Sequence, residues 1–479
     1  MATLNYAIPS GILNLDTHLD SSLATAIIFP HIYNGLTWRQ TNVDPNVSPQ
    51  LAESFRAVND TTWEFKLRKG VKFHNGEEFN AEVVKFNIER QQDVNFKPRY
   101  ISDYADIKVE VVDPYTARMV TKAPDPILPN KLVQSRIVPM KYIKDNGNAI
   151  MLQKPMGTGP FKLTEYVVDD HLTIERFDDY WGGKTNVKKV TFSLIPIASN
   201  RVAALKSGAA DIAFGISPDD AKSLEGMPDM GVSAGLGTSG VWIAVNLFDK
   251  SSPVQDKRVR QAISYAVNQK EMLDTLLGGY ATMAPSALQP AYFGSDPALQ
   301  PYPFDPKKAK ELLTAAGFPD GFEIIFDFVT GGGWVPREKE FQEAVVGYLA
   351  QVGIKCKVVS HLSSEDFANK EFAAKTGPRG LWYFSRGSIV WDGDVTIYQN
   401  LYSTSTRNWF YYSNKEVDDL LLKGHTILDQ EERKKAYGKA LSIIKDDAIW
   451  FAGFQMKDIY GYNKKKLNFK AEWGTRLKY

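Results

Sequence analysis

The stretch from 379 to 402 places aromatic, basic and acidic side chains close together in the chain. Indole rings can form the apolar walls of a pocket, and a few charges can then fix the orientation of a ligand. An arginine fork suits a carboxylate or a phosphate, and an aspartate suits an amine. The candidate ligand-binding residues of this stretch are Trp382, Arg386, Trp391, Asp392 and Asp394. The alternative is that the aromatic rings belong to a core and the charges to a loop surface.

A second candidate is the glycine run 331–333 followed by Trp334. Glycines allow the backbone to approach a ligand closely, and an exposed indole beside them could stack on it. The alternative is a simple flexible loop. Ser21, Arg136 and Trp242 complete the set of candidate ligand-binding residues.

Motifs for enzymes and cofactors do not find their required context. Residues 235–240 fit G-x-G-x-x-G, but this pattern binds dinucleotides only where it follows a strand and opens a helix. Here it precedes a predicted strand from Trp242, so we interpret it as a hinge or a turn. The six histidines are scattered without metal-ligand spacing, and no nucleophile elbow or P-loop occurs. We therefore expect no cofactor, no bound metal and no catalytic residues.

Composition limits the class of protein. A chain of 479 residues is too long for one core, so two or three domains are expected. Lys and Arg total 57 against 56 Asp and Glu, which gives no basic surface for a nucleic acid. No apolar run approaches the ~18 residues of a membrane span. The single cysteine, Cys356, excludes an internal disulfide and is interpreted as a packing residue.

Hydrophobic periodicity and caps predict the elements. Strands are expected at 4–8, 63–67, 71–73, 242–247, 322–328 and 354–359. Helices are expected from Asn80 to about 90, at 199–207, from Asp256 to 277, from Asp305 to 317, at 337–351 and as a pair within 416–446.

Four segments together resemble one family. They are TWEFKLRKGVKFHNGEEFNAEVVKFNIER at 62–90, PQLAES at 49–54, GAADI at 208–212 and DKRVRQAISYAVN at 256–268. These segments resemble family 5 extracellular solute-binding proteins, the receptors of peptide, nickel and opine ABC importers. Thr17 and Val83 depart from the family pattern, which usually has proline and aspartate at these places.

The resemblance implies an α/β fold, namely a periplasmic-binding-protein-like two-lobed clamp with an additional inserted domain. Lobe I would combine 1–37, 151–238 and 454–479, the inserted domain would be 38–150, and lobe II would be 239–453. A ligand would be enclosed between the lobes by hinge closure.

The implied function is that of a substrate-binding protein of an ABC importer. It would capture a small solute and deliver it to the permease subunits in the membrane. The solute would be peptide-like, opine-like, or another small amide, aromatic or anionic compound. We expect a periplasmic or otherwise extracytoplasmic monomer in its mature form, without an export signal, that binds no nucleic acid and is not an enzyme.

Ligand identity stays open, because peptide receptors of the family hold the peptide amine with an acid in a proline-containing segment. Here that region reads VWDGDV at 390–395, without prolines. Gly332 occupies the place where dipeptide receptors carry an arginine. One alternative function is a ligand sensor that docks on a membrane receptor. A more remote one is a cleft hydrolase that uses Asp392 and Asp394 as paired carboxylates.

Overall fold

A computed structural model of the chain describes residues 2–20, 22–39, 45–329, 335–362 and 380–471. The described residues form two compact units. The first unit lies within 1–235 and 458–479, and the second lies within 236–457. Among the helices of these ranges, none has the length and apolar character needed to cross a bilayer.

The first unit contains a sheet in the order β11-β1-β10-β9-β8. Strand β1 pairs in parallel with both β10 and β11, whereas β9 pairs antiparallel with β10 and β8. The strands of this sheet are β1 (Ala2–Ile8), β8 (Phe161–Val167), β9 (His171–Arg176), β10 (Val187–Leu194) and β11 (Ile212–Phe214).

A second, four-stranded antiparallel sheet of the first unit has the order β4-β5-β7-β6. Its strands are β4 (Ala52–Asn59), β5 (Thr62–Leu67), β6 (Lys108–Asp113) and β7 (Thr116–Val120), and a short pair joins β2 (Thr37–Trp38) to β3 (Ser48–Pro49). The helices of the unit are α1 (Leu23–Ile32), α2 (Ala81–Arg90), α3 (Ile101–Tyr104), α4 (Leu128–Lys131), α5 (Met140–Asn146), α6 (Ile150–Gln153), α7 (Ala198–Ser207) and α8 (Pro218–Glu225).

The segment 62–90 folds largely as predicted. Trp63, Phe65 and Leu67 are buried on one face of β5, as the period of two requires. Helix α2 begins after Asn80, whose side-chain oxygen accepts a hydrogen bond from the Val83 amide at 3.2 Å. The strand predicted at 71–73 is wrong, because this stretch makes only an isolated bridge at Lys72.

A buried ion pair fixes helix α2 to the N-terminal segment. The Arg90 guanidinium donates to both carboxylate oxygens of Asp16, at 3.1 and 2.5 Å, and to His18 Nδ1 at 2.9 Å. Both members of the pair are shielded from solvent. Removing one member would leave an uncompensated buried charge, so this contact specifies how the helix and the segment pack.

The second unit contains a sheet in the order β15-β14-β16-β12. Strand β14 pairs in parallel with β15 and β16, and β16 pairs antiparallel with residues 239–245 of β12. The strands involved are β12 (Met230–Val245), β14 (Phe322–Val329), β15 (Ile354–His361) and β16 (Leu381–Gly387). A further pair joins β13 (Ala281–Ala284) to residues 453–456 of β17 (Trp450–Asn463). Residues 460–462 of β17 belong to the first unit, where they pair with β11.

The helices of the second unit cover its sheet. They are α9 (Lys257–Ala266), α10 (Gln269–Leu277), α11 (Pro306–Ala315), α12 (Glu338–Gln351), α13 (Gln399–Leu401), α14 (Lys415–Thr426) and α15 (Gln430–Asp446), with a 3₁₀ turn at Pro253–Gln255 and a π-helical turn at Asp394–Tyr398. Caps explain several starts, since Asp305 and Asn414 accept hydrogen bonds from the first-turn amides of α11 and α14.

Two predictions for this unit are wrong. The single helix expected from Asp256 to 277 is broken after Ala266, because Val267 is extended and Asn268 caps a new helix. Residues 235–240 form no turn but lie inside strand β12. The proposed lobe and insert boundaries, and the hinge role of 235–240, stay predictions.

Two of the buried histidines of the first unit, His18 and His74, generate a prediction about protonation. His18 Nδ1 accepts a hydrogen bond from Arg90, and His18 Nε2 lies 2.8 Å from the Arg136 carbonyl oxygen. In the same way, His74 Nδ1 accepts from the Gly157 amide, and His74 Nε2 contacts the Gly159 carbonyl oxygen. This geometry is that of a neutral ring protonated on Nε2. Burial lowers the pKa of each imidazole from 6.5 to about 4, and for His18 the Arg90 charge adds to the effect.

We expect His18 and His74 to titrate near pH 4 in an NMR titration of the imidazole resonances. His171 is the internal control, because the hydrogen bonds that its ring donates to the carboxylates of Asp170 and Glu165 raise its pKa above 6.5. Since the folded state disfavours protonation of the buried pair, the free energy of unfolding should fall as pH drops from 6.5 toward 4. Titration of either buried ring near 6.5 would contradict this prediction.

Candidate functional site

The carboxyl ends of parallel strands in the second unit bring candidate residues to one edge. Strands β14, β15 and β16 run in the same direction, so their carboxyl ends, at Val329, His361 and Gly387, lie at one edge of the sheet. Ligands of open α/β sheets bind at such an edge. The chain leaves β16 there and passes through 388–398, the stretch that contains the predicted site residues Trp391, Asp392 and Asp394.

Asp392 and Arg433 form a buried, two-pronged ion pair. The Arg433 guanidinium donates to Asp392 Oδ1 at 2.8 Å and Oδ2 at 3.2 Å, and each side chain is 1% exposed. Burial opposes the charge, but the neighbouring Asp392 carboxylate still raises the pKa of Arg433 above its ordinary value. Burial raises the pKa of the Asp392 carboxyl above its ordinary value, and the charge and hydrogen bonds of Arg433, on helix α15, oppose this increase.

Arg433 connects several elements through the rest of its guanidinium. Its Nε donates to the Gly424 carbonyl at 2.8 Å, at the end of helix α14, and its plane lies over the Phe293 ring at 4.7 Å. Phe293 in turn exchanges backbone hydrogen bonds with residues 391 and 393. One side chain thus ties two helices and the 291–294 loop to the segment that carries Asp392.

Asp394 takes part in a neighbouring contact. Its Oδ2 atom lies 2.5 Å from His425 Nδ1 and accepts a hydrogen bond from the Tyr437 hydroxyl at 3.3 Å. Asp394 is buried, while His425 is one-third exposed. The carboxylate is shared between a buried hydroxyl and a ring that reaches solvent.

An aromatic stack and two arginines continue from this contact toward solvent. The His425 ring stacks on Tyr398 at 3.9 Å, and Tyr398 stacks on Tyr402 at 5.0 Å. Arg386 Nη2 and Arg407 Nη1 both donate to one neutral oxygen, Gln399 Oε1, each at 2.9 Å. We call the six residues that line this surface the arginine–tyrosine wall; they are Arg386, Tyr398, Gln399, Tyr402, Arg407 and His425.

The wall could hold an anionic, partly planar ligand. Guanidinium groups match carboxylates geometrically, and stacked rings offer flat apolar surface. The Gln399 oxygen holds both guanidinium groups at one point of the wall. Within the described part of the chain, no group of three His, Cys, Asp or Glu side chains could hold a metal ion.

The three predicted tryptophans with described positions pack inside the second unit. Trp242 and Trp382 are 0% and 1% exposed and belong to an aromatic cluster with Phe384, Phe410 and Trp450. Trp391, also fully buried, stacks on Tyr292 at 5.6 Å and has a positive φ of 52°. These ring contacts belong to the interior of the second unit, and direct ligand contact through the three tryptophans stays a prediction.

The remaining candidates lie elsewhere. Arg136 is buried in the first unit, where its carbonyl oxygen contacts His18 Nε2. Ser21 and Trp334 lie outside the described residues.

Sequence reasoning found Arg386 but missed the other members of the wall. Tyr398, Gln399 and Tyr402 follow Asp394 at spacings of four, five and eight residues, which a helical turn places on adjoining faces. That signal was present in the sequence. His425 and Arg407 come from other segments, and no local pattern connects them to Asp394 or Gln399.

Comparisons with known proteins agree on one family. The family model "Bacterial extracellular solute-binding proteins, family 5 Middle" matches residues 46–408. Heme-binding protein A of Haemophilus influenzae is 29% identical, over 93% of this chain and 87% of its own. Glutathione-binding protein GsiB of Salmonella typhi is 28% identical, over 97% and 91%. The solved structure of HbpA2 from Haemophilus parasuis has a TM-score of 0.86 at 24% identity, covering 97% of this chain and 96% of that chain.

The buried ion pair between Asp392 and Arg433 predicts how two substitutions change the stability of the protein. Arg433→Met should lower the free energy of unfolding by about 3–5 kcal/mol, because it leaves Asp392 charged and unpaired in the interior. Adding Asp392→Leu to this variant should restore much of the loss, since both charges are then absent. Denaturant unfolding followed by tryptophan fluorescence measures these differences.

The matched control is Lys415→Met, which breaks the solvent-exposed pair with Asp419 on helix α14. This variant should leave the denaturant midpoint of unfolding unchanged, because exposed ion pairs contribute little to the free energy of unfolding. An Arg433→Met protein as stable as the unmodified chain would show that the pair does not hold this region together.

Proposed function

Because this chain belongs to the bacterial extracellular solute-binding proteins of family 5, we propose that its cargo is a small, carboxylate-bearing solute with a planar or apolar part. Members of this family are extracytoplasmic binding proteins of ABC importers. The observation that carries the proposal is the convergence of Arg386 and Arg407 on Gln399 Oε1, next to the stack of Tyr398 and His425.

The names of two relatives support this class. Heme-binding protein A and the glutathione-binding protein are named for heme and glutathione. Both of these ligands carry carboxylates, and both present extended surface beside them. A solute with the same two features fits paired guanidinium groups beside aromatic rings. A free dipeptide is one member of this class rather than the required cargo.

The arrangement of the charges favours binding over hydrolysis. A two-carboxylate hydrolase needs one carboxyl group that carries a proton. Asp392 is instead paired through both oxygens with Arg433, and Asp394 is paired with His425. We propose that these aspartates position the wall and that the protein catalyses no reaction.

The partners follow from the same proposal. The solute is delivered to the permease subunits of an ABC importer, which is how members of the family work. We further propose that the protein acts as a monomer and binds no nucleic acid, in keeping with its 57 basic and 56 acidic side chains.

Binding measurements test the role of the wall. Glutathione, heme, short peptides and opine-type acids should be screened by thermal shift and the best ligand titrated by calorimetry. For that ligand, Arg386→Gln and Arg407→Gln should each weaken the affinity about tenfold or more, because a hydrogen bond to a charged group contributes about 1.5–3 kcal/mol.

Arg258→Gln is the matched control. Arg258 lies on helix α9 of the same unit, pairs with Asp256 and is half exposed, so its loss should leave the affinity unchanged. A ligand that binds all four proteins equally well would exclude the wall as its site. A complete screen without any stabilisation would count against this class of cargo.

A further inference from the structure

A groove of about 430 Å³ opens on the helical face of the second unit. Helix α9, the loop before α11, helix α11 and the end of α15 form its walls. Its apolar surface comes from Tyr265, Leu299, Tyr302 and Leu312. This volume lies within the range of small-molecule sites, about 300–1,000 Å³.

The groove lies at the opposite end of the sheet from the arginine–tyrosine wall. The Val245 amide bonds to the Ile449 carbonyl, and Val245 is paired with Leu381, the first residue of β16. Lys445, which lines the groove, is four residues before Ile449. Arg386 is near the other end of β16. Leu381 and Arg386 are therefore about 15–20 Å apart, at ~3.3 Å per residue. The two places therefore cannot share one small ligand.

The aromatic floor of the groove is held in place. Tyr265 and Tyr302 meet edge to face, with ring centroids 5.0 Å apart and planes at 80°. The Tyr302 hydroxyl donates to the Lys445 carbonyl at 2.8 Å, and the Tyr265 carbonyl accepts from the Asp305 amide at 2.9 Å. Fixed rings bind a flat ligand with little loss of conformational entropy.

Cations line the same groove. The Lys445 ammonium lies 5.1 Å from the centre of the Tyr302 ring, and Lys308 projects from the first turn of helix α11. Lys308 also makes a solvent-exposed contact with Glu311 at 3.5 Å, which is a weak type of pair.

The one acidic side chain on the lining is already paired. Asp446 contacts the ammonium of Lys257 and accepts from Gln261 Nε2 at 3.2 Å. Lys257 also lies 3.3 Å from Asp447, so its charge is shared between two aspartates. The lining itself carries two lysines, Lys308 and Lys445, against the one aspartate, Asp446.

We propose that this groove is a second ligand site, separate from the cargo site, that takes a small aryl carboxylate. The ring of the ligand packs against Tyr265 and Tyr302, and its carboxylate is held by Lys308 and Lys445. This inference does not depend on the proposed cargo class, because it uses other residues at another edge of the unit.

Saturation-transfer NMR with phenylacetate as the probe tests the proposal, with phenylacetamide as its neutral counterpart. Phenylacetate should bind, and the amide should bind at least tenfold more weakly because it lacks the charge. The double variant Lys308→Gln with Lys445→Gln should lose at least tenfold in affinity for phenylacetate. The backbone carbonyl of Lys445 that holds Tyr302 is unchanged in this variant, so the fold should be kept, and a melting curve checks this.

Two controls assign the site. Phenylacetate also has the carboxylate and the flat ring of the proposed cargo, so the variants are compared in a protein that carries Arg386→Gln and Arg407→Gln, which should still bind phenylacetate. Lys307→Gln with Lys310→Gln removes two exposed lysines of the same helix that do not line the groove, and this change should leave phenylacetate binding in that protein unaltered. Equal binding by the groove variant, no binding by the protein with Arg386→Gln and Arg407→Gln, or binding of an acidic peptide without any binding of phenylacetate would overturn the proposal.

Discussion

The ion pair between Asp392 and Arg433 is the contact on which the candidate site depends. It is withdrawn from solvent on both sides, and such a pair is strongly destabilised when one partner is removed. Arg433 uses its remaining donors on Gly424 and Gln430 and places its face over Phe293. The segment after strand β16 is thereby fixed against helices α14 and α15.

Three close contacts at Tyr437 reinforce this arrangement. A Cβ atom at Gly424 would lie 2.4 Å from the Tyr437 ring, and Gly294 and Gly393 also approach it. The Tyr437 hydroxyl then reaches Asp394, which holds His425. Rigid packing around one tyrosine thus sets the position of a ring that stacks on Tyr398 at the surface. Preorganisation of this kind lets a binding protein recognise a ligand without a large entropic cost.

The local features of the fold could be predicted from the sequence, and the site could be predicted only in part. Caps at Asn80, Asp256 and Asp305 and the alternation of Trp63, Phe65 and Leu67 act over a few residues, so their signals are legible. The break between the two helices at Val267 could not be predicted, because the apolar period continues across it. Asp392 and Arg433 are 41 residues apart, and nothing local joins them. Tryptophan is a residue type that often lines ligand sites. Here the rings of Trp242 and Trp382 pack with Phe384, and the ring of Trp391 stacks on Tyr292.

The central claim is that the wall containing Arg386, Gln399 and Arg407 binds a carboxylate of the cargo. A crystal structure of the protein with the solute that it retains from its host tests this claim most directly. The account predicts a carboxylate within hydrogen-bonding distance of Arg386 or Arg407, with an apolar part of the solute against Tyr398 or Tyr402. A bound solute that touches none of these four residues would contradict it.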